Sequence, residues 1–198
     1  MPNSSKPRAK IANVSAFDEW IRTRFIELNT QLEELYFAQP NPAAVEDTGA
    51  AIKEHLVSEG RTFIAQLLRE GNTDEGFDSG FDLLGNVGLY MGACRRHEIT
   101  EPSRETTSPL IEASALALQL GASLGVTPRF ATSHLATHNR AVNGVYKSFT
   151  SLKAESVFLD YNTRAVFAYK RAADALVRIL PMGISHPVAY DMLLAAED

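Results

Sequence analysis

Phe81-Asp82-Leu83-Leu84-Gly85-Asn86-Val87-Gly88-Leu89-Tyr90-Met91-Gly92-Ala93-Cys94-Arg95-Arg96-His97 is the stretch that decides the fold. Its apolar residues recur at helical spacing. Extended upstream to Thr73, it has Asp74, Glu75 and Asp78 in its first turns, and it closes on Arg95, Arg96 and His97. Acids at the start and bases at the end complement the partial charges of a helix, so the pattern predicts a helix from Thr73 to His97. Glycine costs a helix interior roughly 1 kcal/mol relative to alanine. Yet Gly85, Gly88 and Gly92 share one face here. Such a face lets something approach the backbone closely, either another helix or a flat ligand.

The same period continues in both directions. Ser15, with Asp18 three residues on, opens a helix that runs to Phe37 and is stopped by Gln39-Pro40-Asn41-Pro42. Its stripe is Phe17, Ile21, Phe25, Leu28, Leu32 and Leu35. A second helix is expected from Pro42, in a first turn, to Arg69, with Ile52, Leu56, Phe63, Ile64, Leu67 and Leu68 inward and Gly71-Asn72 ending it. Downstream, Ser108-Pro109 starts a helix from Leu110 to Leu124 that Gly125 ends. Thr127-Pro128 predicts another from Arg129 towards Phe149, with Phe130, His134, His138, Val142, Val145 and Phe149 on one face. Further helices are expected from Ala154 to Leu180 and from about His186-Pro187.

No segment alternates apolar and polar residues as a strand does. The expectation is therefore an all-α, bundle-like domain of about seven helices over residues 15–198, behind a basic, disordered tail over 1–14. The last amphipathic pattern stops at Ala195-Ala196-Glu197-Asp198 with no terminator, as expected of a fragment or of one half of a larger assembly.

A chain of 198 residues holds a core without staples. Its net charge is −5 and its basic residues form no stripe, which argues against nucleic acid as a partner. No apolar run reaches the roughly 18 residues that cross a bilayer. Cys94 is the single cysteine, so there is no internal disulfide and no thiolate zinc site, and a reducing, cytoplasmic location is expected. No phosphate loop, dinucleotide fingerprint, HExxH or nucleophile elbow is present.

The candidate chemistry gathers on the expected helix from Arg129. His134 and His138 stand four residues apart, the spacing of two imidazoles on one face. They can be core residues, pocket-lining groups or metal ligands; without a third ligand, no metal site is assigned. Asn139 and Arg140 follow, and Arg140 can hold a carboxylate in its fork or simply face solvent. Asp160-Tyr161-Asn162-Thr163-Arg164 is polar between apolar runs, so part of it is expected to point inward or at a partner, within reach of Arg140 or Asn143. Cys94 reads as a packed, inert thiol. The pocket candidates are His134, His138, Asn139, Arg140, Gly88 and Gly92, and no catalytic residue is assigned.

The glycine-rich block from Phe81 to Glu98 resembles the helix ending in Arg-His of the monodechloroaminopyrrolnitrin synthase family. A second block, from Thr127-Pro128-Arg129 through His134 and Asn139 to Lys147-Ser148-Phe149-Thr150, is similar to that family's Pro-Arg, His, Asn and Arg-Ser-Tyr-Thr order. Phe17-Asp18-Glu19-Trp20-Ile21-Arg22 and Leu32-Glu33-Glu34-Leu35-Tyr36-Phe37 resemble it too. The resemblance runs from about Phe17 to Asp191, and the order and spacing of the blocks carry it.

It implies the all-helical fold of the tryptophan/indoleamine dioxygenase superfamily, haem b as cofactor, and a tryptophan-like or other aromatic amino acid as substrate. It covers only the N-terminal half of that fold, while the family's iron-ligating histidine lies in the C-terminal half, so no iron ligand transfers. His134 and Asn139 fall on shared family positions; His138 falls where the family's named enzyme has tryptophan. Two functions follow as expectations. One is the N-terminal helical part of a haem-dependent enzyme of oxidative chemistry on such substrates. The other is a non-catalytic helical module that forms a homo-oligomer or docks a separate haem-binding partner such as a C-terminal half.

Overall fold

The computed structural model describes residues 11–70, 75–101, 103–104 and 106–197. Among them are eight helices: α1 Ile11–Arg22, α2 Arg24–Phe37, α3 Ala50–Glu70, α4 Phe77–Arg96, α5 Ile111–Leu124, α6 Ser133–Ala136, α7 Lys153–Ile179 and α8 Ala189–Glu197. The chain is all-α; its sole extended pairing among the described residues is an isolated bridge between Val142 and Val145. No described helix is long and apolar enough to cross a membrane.

Helix α4 lies against α1, α3, α5 and α6. Its Leu83, Leu84, Val87, Leu89 and Tyr90 meet Phe17 and Ile21 of α1, Leu56, Ile64 and Leu67 of α3, and Leu116 and Leu120 of α5 in one core. Trp20 and Phe63 stack on Phe17 there with ring centroids 6.0 and 5.8 Å away. The Tyr90 ring lies on Gly60, so that glycine seats a side chain and α3 runs through it unbroken. Burial pushes the Cys94 thiol up to about 12, in line with a packed thiol.

Several expected boundaries move. The first helix begins by Ile11, so residues 11–14 are helical; residues 1–10 of the expected tail, and Gly71, Asn72, Thr73 and Asp74, lie outside the described residues. One long helix becomes two at Thr23, whose hydroxyl donates to the Glu19 carbonyl at 2.7 Å and bends the chain. Pro42 does not start α3. The Asn41 side chain instead accepts from the Ala43 N–H at 3.2 Å, and a turn plants Val45 against Leu32 and Tyr36 before α3 opens at Ala50.

The largest correction is the expected helix over 129–149. Only the four residues of α6 are helical there. Asn143 and Gly144 both take positive φ, 50° and 80°, and the Val142 N–H and Val145 N–H each donate across the turn, at 3.0 and 2.9 Å. That is the Asn-Gly hairpin turn, whose left-handed pair of residues no helix contains.

This segment occupies the glycine face of α4. A Cβ on Gly85 would stand 2.6 Å from His134 Cδ2, one on Gly88 2.7 Å from Phe130 Cβ, and one on Gly92 3.3 Å from the Phe149 ring. The glycines therefore admit a stretch of this chain. Beyond it, α7 and α8 pack on each other. The polar stretch 160–164 does not reach Arg140 or Asn143. It lies along α7, where Arg164 pairs with Asp160 at 3.0 Å and Asn162 donates to the Phe158 carbonyl.

Candidate functional site

The segment from α6 to α7 is fixed by polar bonds. The Asn139 amide donates to the Lys147 carbonyl at 2.8 Å and accepts from the Lys147 N–H at 2.9 Å, so one side chain clips both ends of the hairpin together. Lys147 then turns its ammonium into the body, 2.6 Å from Asp82 and 3.0 Å from Asp18, with only 2% of the side chain exposed. Asp18 also accepts from Arg22 at 2.7 Å and from the Asn86 amide at 3.1 Å. Burial pushes the Asp18 carboxyl up, but Lys147, Arg22 and Asn86 outweigh it and hold it below its usual value. A buried charge persists only when paired in this way.

At the other end, Glu155 in the first turn of α7 accepts from the Phe149 and Thr150 N–H groups at 2.6 and 2.7 Å. The carboxylate thereby satisfies backbone donors just ahead of the helix and favours its positive end.

Between this wall and α7 lies a cleft of about 500 Å³. Leu135, Leu152, Leu159 and Tyr146 give it apolar surface, Ser148, Ser151, Ser156 and Thr163 give it hydroxyls, and Asp160 gives it a carboxylate. Behind the hairpin, a second cavity of about 520 Å³ is lined by Asp18, Asp82, Arg22, Val142 and Val145. Lys147 thus joins the wall of the cleft to the floor of that cavity.

Of the six pocket candidates, Asn139 lines the cleft. Gly92 lines a groove beside Phe149 and Arg96. Gly88 is filled by Phe130. Arg140 is exposed and pairs with Asp78 at 2.8 Å. His134 is buried between Phe81 and Phe130, its ring 4.0 Å from that of Phe81. Its Nδ1 accepts from the Ala131 N–H at 3.0 Å, while Nε2 is buried without a hydrogen bond among the described residues. Burial lowers its pKa against the opposing pull of the Ala131 and Phe81 backbone. His138 lies outside α6, so the two histidines do not share a helix face; both touch Phe81, His138 edge-on at 4.9 Å.

Sequence reasoning missed two groups. One is the Lys147, Asp82 and Asp18 cluster, whose only sequence signal is a lysine within the hairpin. The other is His97, which carries both ring nitrogens into bonds: Nδ1 to the Tyr36 hydroxyl at 3.0 Å and Nε2 to Asn29 Oδ1 at 2.7 Å. The Asn29 amide donates to the Phe25 carbonyl, so its oxygen faces the ring, Nε2 carries the proton and Nδ1 accepts from Tyr36. Burial lowers the His97 pKa to about 3, with Arg96 and Lys53 adding to the effect.

Among the described residues no three His, Cys, Asp or Glu side chains gather as a metal-ligand set, and no histidine lines the cleft, the cavity or the groove. No curated protein matches the chain. The sequence model of the family described as monodechloroaminopyrrolnitrin synthase PrnB does match, over residues 11–198. That match spans every described residue, from the first turn of α1 through the glycine face of α4 and the clipped hairpin to α8, and the chain belongs to the PrnB family.

Proposed function

We propose that this chain is the substrate-binding part of a PrnB-type enzyme and that the cleft between the hairpin wall and α7 holds a tryptophan-like aromatic amino acid. The cleft carries the reading. Its volume of about 500 Å³ lies in the range of small-molecule sites, and it mixes apolar surface with a few polar groups. The ring rests on Leu135, Leu152 and Leu159. Asp160 faces the ammonium, and the carboxylate lies towards the positive end of α7.

Haem b, which the family resemblance implies, supplies oxygen chemistry when bound. The described residues do not fit it. His97 has both nitrogens bonded, His134 is shut between two phenylalanine rings, and no described histidine lines the cleft, the second cavity or the groove. What these residues do is bind and orient a substrate.

Calorimetric titration with L-tryptophan and a chlorinated tryptophan is expected to show saturable binding, with L-leucine at least about ten-fold weaker. Leu159→Trp, which fills the cleft from a half-buried position, is expected to remove the binding and leave the circular dichroism spectrum unchanged. No heat with either aromatic amino acid, or equal binding by the filled variant, sinks the reading.

A further inference from the structure

The cavity of about 520 Å³ behind the hairpin is as roomy as the cleft, and its charges are unevenly matched. Successive turns of α1 present Ser15, Asp18 and Arg22 to it, α4 presents Ser79 and Asp82, and the hairpin closes it with Val142 and Val145. Glu19 and Glu75 also line it, and both are exposed with no ion pair among the described residues. Four carboxylates thus face two cations, Arg22 and, from within the wall, Lys147.

Arg22 marks a place for an anion. It is 6% exposed, its Nε donates to Asp18 and its Nη1 to the Val145 carbonyl, each at 2.7 Å, and its Nη2 has no hydrogen-bond partner among the described residues. The described side-chain atoms that are fully buried without a partner are Asn86 Oδ1 and His134 Nε2. Nη2 is not one of them, so it is open to the cavity that Arg22 lines. A guanidinium nitrogen left over in an otherwise buried side chain lacks an acceptor, and a carboxylate is the strongest it can take.

Asp82 marks a place for a cation. Lys147 takes its Oδ1 at 2.6 Å, while Oδ2 has no partner among the described residues and the side chain is 41% exposed.

We propose that this cavity binds an α-amino acid with a cationic side chain, arginine or lysine. The carboxylate accepts from Arg22 Nη2, the α-ammonium donates to Asp82 Oδ2, and the aliphatic stem runs along Val142 and Val145. The terminal cation meets Glu75. At 1.5 Å per residue, Glu75 and Asp82 stand roughly 10 Å apart along the direction of α4, a span that an extended lysine or arginine bridges. Charge selects the class. The surplus of carboxylates favours a ligand of net positive charge, and Arg22 separates it from a plain amine, which leaves Nη2 without its acceptor. A neutral amino acid leaves Glu75 unpaired. Cavity and cleft share no lining residue, so this proposal stands independently of the reading of the cleft.

Calorimetric titration of the full chain with L-arginine and L-lysine at low salt tests it. Saturable one-to-one binding is expected. Agmatine, which lacks the carboxylate, is expected to bind at least about ten-fold more weakly than L-arginine. L-citrulline, which lacks the side-chain charge, and the variant Glu75→Gln, at an exposed position, are each expected to cost about three-fold. No heat with either basic amino acid overturns the proposal. So does agmatine or spermidine binding as tightly as L-arginine, which would mean an acidic surface only, and so does a Glu75→Gln chain that binds as the native one. Loss of L-arginine binding in Leu159→Trp, the variant that fills the cleft, would put the ligand in the cleft and also overturns it.

Discussion

His97 shows how one buried side chain ties the fold to pH. Its pKa is lowered to about 3 in the folded chain against about 6.5 when unfolded. As pH falls below 6.5 the unfolded chain takes up a proton that the folded one refuses, so stability falls from there down towards pH 3, by at most about 1.4 kcal/mol per pH unit from this site. His134, also lowered, acts in the same direction. Asp18, held below its usual value, adds a loss only as pH drops past about 4. Melting curves from pH 7 to pH 4 are expected to show a falling Tm. His97→Gln is expected to melt lower at pH 7 yet fall less steeply, and a slope as steep as the native one would show that His97 does not carry the effect. None of this was legible in the sequence, where His97 read as a base near a helix end. Its burial depends on Asn29 and Tyr36, which lie 68 and 61 residues away.

Helices with clear end signals were legible to within a few residues. Gly125, with φ of 68°, ends α5 where expected, and α7 runs from Lys153 to Ile179 against an expected Ala154 to Leu180. The segment over 129–149 was misread for a physical reason. Phe130, His134 and Phe149 do share a neighbour, but the register belongs to α4, whose Gly88, Gly85 and Gly92 receive them. The local signal was Asn143-Gly144 between two valines, which outweighs helical periodicity because both residues take positive φ. Close packing predicts that Gly88→Leu is costly. Its Cβ alone would stand 3.0 Å from the Phe130 Cα, so backbone must move, at roughly 1–3 kcal/mol. For a chain of this length each kcal/mol lowers Tm by about 2–4 °C. An unchanged melting curve would refute this account of the glycine face.

Across the whole molecule, the class of fold was readable because burial imposes one period on nearly every segment. The candidate site was readable only in part. Asn139 reached the cleft, whereas the serines, Asp160 and Lys147 came together through a hairpin and a distant helix that no local pattern connects.

The cleft wall has a further property. From Thr137 to Leu152 the chain makes little backbone bonding of its own, chiefly the Val142 and Val145 pair, and depends on the Asn139 clip, the Lys147 ammonium and the seats on α4. Such a stretch opens at a free energy below that of global unfolding. Amide hydrogens of Val142, Val145 and Lys147 are expected to exchange with deuterium well ahead of those in α4, and to slow when an aromatic amino acid occupies the cleft. Ligand residence in this protein would then be set by how long a loosely tethered wall stays seated on a firmly packed body.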